Sequence, residues 1–230
     1  MWSYLGSKSK TIKRYPLPVC STIIEPFAGT ARYALLYSDR QVILNDIYKV
    51  ITDSWSYLVG ATPEQIENLP DLKRGDDLRN LNISDVERNL LGFIVARGVS
   101  SPRNICSEWS ATSKEIDIFK KRVLKNLDKI RHFKIMNVDY RELENVEATW
   151  FIDPPYQHGR FPGSRYIHDA IDYVELADWC KSRRGQVIVC ENTKANWLDF
   201  KPLLELHGQR KRTVELIWTK GGNDASNSRF

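Results

Sequence analysis

At 230 residues with 42% hydrophobic content, the chain is the size of one α/β domain carrying a modest insert. No apolar run approaches the roughly 18 residues of a membrane span, and the N-terminus lacks a signal peptide's apolar stretch, so no membrane association and a cytoplasmic location are expected. The net charge of +5 is too mild to demand a polyanionic partner by itself.

The distribution of charge is more informative. Ten Lys/Arg and four Asp/Glu lie between Arg97 and Lys134, a local +6 that leaves the rest of the chain at −1. Such a stretch is either a solvated helix face or a face that contacts phosphates. Cys20, Cys106, Cys180 and Cys190 show no short metal-ligand spacing and the four His are scattered, so free structural thiols and no metal site are expected.

Taken in order, the chain opens on a small glycine-containing loop, Tyr4-Leu5-Gly6-Ser7-Lys8. Ser21–Glu25 reads as a first strand. Pro26-Phe27-Ala28-Gly29-Thr30 turns it into a helix from about Ala31 to Tyr37, where Gly29 lets the backbone approach a ligand that a side chain would block. Gln41–Asp46 is a second strand that ends in an acid 17 residues beyond Gly29. Strand, glycine turn and carboxylate at about that distance read as the first half of a nucleotide-binding βαβ unit, in which the acid holds a ribose hydroxyl pair, with an ordinary glycine turn and a solvated Asp46 as the alternative. A helix from Tyr48 to Leu58 presents Ile51, Trp55 and Leu58 on one face.

The βαβ alternation then breaks. Thr62-Pro63-Glu64-Gln65 and Ser84-Asp85-Val86-Glu87 read as capping boxes, the second opening a helix to about Ala96. Residues 60–112 therefore read as a helical insert, its last part the irregular basic stretch Arg97–Asn104 followed by Glu108-Trp109-Ser110. Arg, Asn and Ser on loops are suited to base-edge and phosphate contacts, and equally to an ordinary surface loop. Thr112-Ser113-Lys114-Glu115 reads as a third capping box. The helix behind it buries Ile116, Phe119, Val123, Leu124 and Leu127 and turns Lys121, Arg122 and their basic neighbours outward.

His132–Asp139 reads as a third strand and Ala148-Thr149-Trp150-Phe151-Ile152 as a buried fourth. Asp153-Pro154-Pro155-Tyr156 stops it, because neither proline offers an N–H to a ladder. The Asp153 carboxylate thus emerges at the carboxyl edge, where open α/β sheets bind ligands. An acid, a rigid backbone whose Pro154 carbonyl accepts hydrogen bonds, and the Tyr156 ring suit a flat heterocycle bearing an amino group. A plain proline turn is the alternative. Gln157–Arg165 reads as a loop able to close over a base. Asp172 caps a helix with Val174, Leu176, Ala177 and Trp179. Gln186–Cys190 is a buried strand ending in Glu191, and Leu203–Leu206 and Val214–Trp218 are strands around a basic turn.

Three segments, in this order, resemble Dam-type DNA adenine-N6 methyltransferases of the alpha group. Tyr4-Leu5-Gly6-Ser7-Lys8 resembles their N-terminal cofactor motif, Glu25-Pro26-Phe27-Ala28-Gly29-Thr30-Ala31 with the following Asp46 their glycine motif, and Asp153-Pro154-Pro155-Tyr156 their catalytic motif. Ala31 departs from the pattern, which usually has a second glycine there. The resemblance implies a Rossmann-like S-adenosylmethionine-dependent sheet from residues 1–59 and 113–230, with 60–112 in the place of a target recognition domain. It implies S-adenosylmethionine as cofactor, held by Tyr4, Lys8, Glu25, Phe27, Gly29, Asp46 and Asp153, and catalysis by Asp153, Pro154 and Tyr156. Double-stranded DNA is the implied partner, contacted by Arg97, Arg103, Asn104, Lys121 and Arg122, in a bacterial or phage-infected cell, with the protein a monomer or weak dimer. The same tetrapeptide also occurs in methyltransferases acting on cytosine N4 or on RNA, and a catalytically silent nucleic-acid-binding relative would share the fold.

Overall fold

Side-chain alternation decides what each strand buries. In β4 (Ala148–Ile152) all five residues are buried. Phe151 points into one hydrophobic cluster, while Ala148, Trp150 and Ile152 point into another on the opposite face. In β5 (Gly185–Asn192) Ile188 and Cys190 join Phe151, and Val187 and Val189 join Trp150. A strand apolar on both sides must lie inside a covered sheet, and this one does. The computed structural model describes residues 2, 8, 11–96, 99–106, 113–158, 167, 168, 170–207 and 212–222.

The sheet has seven strands in the order β3-β2-β1-β4-β5-β7-β6. β1 (Thr22–Glu25), β2 (Gln41–Asn45), β3 (Lys134–Met136), β4 and β5 are parallel. β7 (Arg212–Lys220) runs antiparallel between β5 and β6 (Lys201–His207). This is the Rossmann-like α/β sheet that the family resemblance implied. From β1 the chain winds outward through β2 to β3 and then crosses to β4 on the other side of β1. The carboxyl ends of β1 and β4 therefore flank the topological switch point, where such sheets open a crevice.

Helices cover both faces. The Phe151 face receives α1 (Arg32–Leu36), α2 (Lys49–Gly60), α3 (Pro63–Glu67), α4 (Asp85–Val95), α5 (Ser113–Leu124) and α6 (Leu127–Ile130). Ile51, Trp55 and Leu58 of α2 are fully buried, and Trp2 packs its ring 5.1 Å from Trp55 and 6.3 Å from Phe93. The capping boxes at Thr62 and Ser84 both form. Thr112 lies outside the described residues; Ile116, Phe119, Val123 and Leu127 are buried as the helical spacing requires. Leu69, Leu72 and Leu78, with Leu90, Leu91 and Phe93 of α4, enter the same cluster as β1 and β2. The described part of 60–112 thus shares the core of the sheet. The Trp150 face is covered by α7 (Tyr173–Ser182).

The helix capped by Asp172 forms as expected, with Val174 74% exposed on it, and two local expectations need correction. Asp172 accepts from the Val174 and Glu175 N–H groups, and that start turns Leu176, Ala177, Trp179 and Cys180 inward. β3 is only Lys134–Met136, because the side chain of Asn45 captures the backbone of Val138 and bends the chain off the sheet. Glu191 does not emerge from the end of β5: the ladder to β7 continues through Glu191↔Leu216 and Asn192↔Glu215, and Glu191 is fully buried.

Candidate active site

The turn after β1 is folded around two side chains from the end of β2. Asn45, fully buried, donates to the carbonyls of Pro26 (3.1 Å) and Val138 (3.0 Å) and accepts from the Val138 N–H (3.0 Å). It ties the carboxyl ends of β1, β2 and β3 into one rim. Asp46 accepts from the Gly29 and Tyr48 N–H groups, each at 3.0 Å. Gly29 sits at φ 46°, and its carbonyl accepts from Trp55 Nε1 at 2.9 Å. The residue spacing between glycine turn and acid is thereby realised as a direct hydrogen bond. Ala31, at φ 45°, takes a left-handed conformation that glycine adopts freely and that costs an L-residue roughly 1–2 kcal/mol. The departure at this position therefore stores backbone strain beside the turn.

Burial pushes the Asp46 carboxyl up to about 6, the Gly29 and Tyr48 N–H groups opposing part of that rise. Two of its lone pairs are used by those bonds, and a carboxylate has about four. Glu25, 2% exposed at the end of β1, accepts from the Ala34 N–H at 2.7 Å and is pushed up to about 8, by burial first.

Across the crevice, β4 delivers Asp153. Its Oδ1 accepts from Lys8 Nζ at 2.7 Å, and Lys8 also reaches Glu215 at 3.5 Å. Burial alone would lower the Lys8 ammonium, but the Asp153 and Glu215 carboxylates override it and the group is raised. Asp153 is raised by burial, with Lys8 holding it back. The Lys8 ammonium also lies 4.8 Å from the centre of the Tyr156 ring. Tyr156 donates to Glu215 at 2.8 Å. Pro155 is fixed through its carbonyl, which accepts from the Tyr173 hydroxyl at 2.7 Å. Beneath, Tyr33 stacks on Phe151 at 4.4 Å.

The start of the following loop is anchored too. Glu191 accepts from the Gln157 N–H (2.8 Å), Trp197 Nε1 (3.1 Å) and the Asn192 N–H (2.7 Å). Asn192 donates to the His158 carbonyl at 2.7 Å. The rest of that loop, from Gly159 to Tyr166, lies outside the described residues.

One pocket is lined by Lys8, Glu25, Phe27, Gly29, Asp46 and Asp153, so six of the residues singled out from sequence meet around a single cavity. A second cavity adjoins it at Phe27, Ile47 and His168 and is walled by Tyr140, Ile171 and Asp139. Phe27 and Tyr140 lie 5.4 Å apart. Tyr4 and Arg97 fall outside the described residues. Arg103 and Asn104 are exposed on the segment after α4, whose backbone bonds to Gly92 and Leu78. Lys121 and Arg122 are exposed on α5, and Arg122 is close enough to repel the positive charge of Arg32, a pocket-lining residue. Other cations of the basic stretch serve the fold: Lys120 donates to the Glu67 carbonyl and Arg131 to that of Val59.

Sequence reasoning missed Tyr15, Asn45, Asp139, Glu191 and Glu215. Asp139 and Glu191 carried a visible signal, an acid at the end of a strand. Asp139 caps the short turn Tyr140–Glu142 and is held low by Arg141.

No family model matches the chain, and no curated protein matches it. Among solved structures it is similar to the Escherichia coli protein named "Putative methyltransferase yhhF", at 10% identity over 87% of this chain and 76% of that chain, with a TM-score of 0.36. That likeness is too slight to carry an argument, and the fold stands on its own strand order.

Proposed function

We propose that the protein transfers a methyl group from S-adenosylmethionine to the exocyclic N6 amine of adenine in DNA. The observation that carries the reading is the switch-point pocket in which the glycine turn, Asp46 and Asp153 converge. The residues suit this cofactor. Asp46 keeps lone pairs for a ribose hydroxyl pair, and the Phe27–Tyr140 cavity beside it suits a flat base. When bound, the cofactor supplies a methyl group already activated on a sulfonium.

What the protein must supply is a better nucleophile, since the lone pair of an adenine amine is delocalised into its ring. Asp153 and the Pro154 carbonyl accept hydrogen bonds from the amine and localise that lone pair, so catalysis is positioning plus electrostatics. The nitrogen gains a methyl group and loses one proton, for which Asp153 is the base within reach. The target base must leave its duplex, at a cost of a few kcal/mol, and stacking on the Tyr156 ring returns roughly 1–3 kcal/mol.

The nucleic-acid part of the reading rests on Lys121 and Arg122, exposed on α5 with Arg122 beside the pocket residue Arg32. Replacing both by Ala is expected to lower DNA affinity and to flatten the slope of log K against log salt by up to about 2, one unit per lost phosphate contact. An unchanged slope in an anisotropy titration would make this face merely solvated.

A further inference from the structure

β7 is threaded between β5 and β6, and Glu215 lies opposite Asn192 in the ladder, 1% exposed. Ile217, two residues on, belongs to the cluster of Phe151 and Cys190, so Glu215 faces the same side of the sheet. A carboxylate buried there is costly unless its lone pairs are filled. Three segments distant in sequence converge on its Oε1. Tyr15 donates to Oε1 at 2.7 Å, Tyr156 to the same oxygen at 2.8 Å, and the Lys8 ammonium stands at 3.5 Å.

We propose that Glu215 is a positioning residue for methyl transfer, an inference that rests on the methyltransferase reading. Its carboxylate holds the Tyr156 ring by the hydroxyl and holds Lys8 against one face of that ring. The methyltransferase reading places a flat base against the face turned away from Lys8. Lys8 bonds Asp153 through Oδ1 at 2.7 Å and stands 3.5 Å from Glu215, so Glu215 helps hold the ammonium in the place from which it orients Asp153. Two carboxylates and one ammonium sum to −1, the sign suited to a cationic methyl donor meeting an amine that gains positive charge.

The test compares wild type with Glu215→Gln, Tyr156→Phe and the double variant, using labelled S-adenosylmethionine and unmethylated DNA. Glu215→Gln is expected to lower kcat by about 10- to 100-fold, the scale of a misplaced reacting group. KM for DNA and cofactor affinity by calorimetry should stay within about 3-fold, because Glu215 is 1% exposed and lines neither cavity. The double variant should be no slower than the slower single variant, since Glu215→Gln weakens and Tyr156→Phe removes the same contact. Unchanged kcat in Glu215→Gln, or losses that multiply in the double variant, would overturn the inference. Should Glu215→Gln fail to fold, Tyr156→Phe decides alone: it removes only the hydroxyl, and an unchanged kcat overturns the proposal. A wild type that methylates no nucleic acid overturns the site reading and this inference together, whereas an active wild type with unaffected variants overturns the inference only.

Discussion

Asp153→Ala is expected to cut methyl transfer by about 10²–10³-fold or more. The magnitude follows from removing one preorganised acceptor at the point where charge develops. Asp153 also carries the hydrogen bond from Lys8, so the substitution frees that ammonium. The released Lys8 still has Glu215 at 3.5 Å, and the fold is expected to survive. Asp153→Asn separates shape from charge. It keeps an acceptor oxygen but gives up the negative charge, and should fall between wild type and Asp153→Ala in single-turnover measurements. An Asp153→Ala enzyme that retains more than about a tenth of wild-type turnover contradicts the assignment, since one missing charge-assisted contact accounts for at least that factor.

Lys8→Met is the second large effect, and it is a stability effect as well as a catalytic one. Lys8 is 7% exposed and is the cation shared by Asp153 and Glu215. Removing one member of a buried ion group leaves uncompensated charge and typically costs about 3–5 kcal/mol. For a domain of this size that lowers the melting temperature by roughly 6–20 °C at neutral pH. The sign with pH is fixed by linkage. Without Lys8 the two carboxylates repel, and one of them binds a proton more tightly in the folded state than in the unfolded chain. Over that window the folded state holds more protons, so the stability of Lys8→Met falls as pH rises. The deficit against wild type should be smaller near pH 5 than near pH 8, as read by melting curves at both. A deficit that is the same at both values would mean that the lost packing of the lysine stem, not its charge, dominates.

The fold was legible because β4 and β5 are apolar on both faces and the prolines at 154 and 155 end a strand unambiguously. The glycine turn and Asp46 were legible because a fixed chain distance separates them, and that distance becomes a hydrogen bond in the fold. What stayed hidden is what depends on strand order. Glu215 sits in the strand read at Val214–Trp218, where nothing in the local pattern marks the acid as buried. Only the insertion of β7 between β5 and β6 turns Glu215 inward. The burial of Glu191 was hidden for the same reason, because the β7 ladder extends β5 past the point where the sequence places its end. Asn45 reads as a polar strand terminus, yet it is fully buried and joins three loops. Lys8 was placed in the site by resemblance to a motif, and its pairing with Asp153, 145 positions away, is a property of the assembled sheet.

The most direct test of the central claim is to incubate the protein with S-adenosylmethionine labelled in its methyl group and unmethylated double-stranded DNA, then digest the DNA and identify the labelled nucleoside. Label recovered as N6-methyladenine is the predicted result. Label as N4-methylcytosine, or label found in RNA and not in DNA, would keep the site and move its substrate. No label in either nucleic acid would contradict the account.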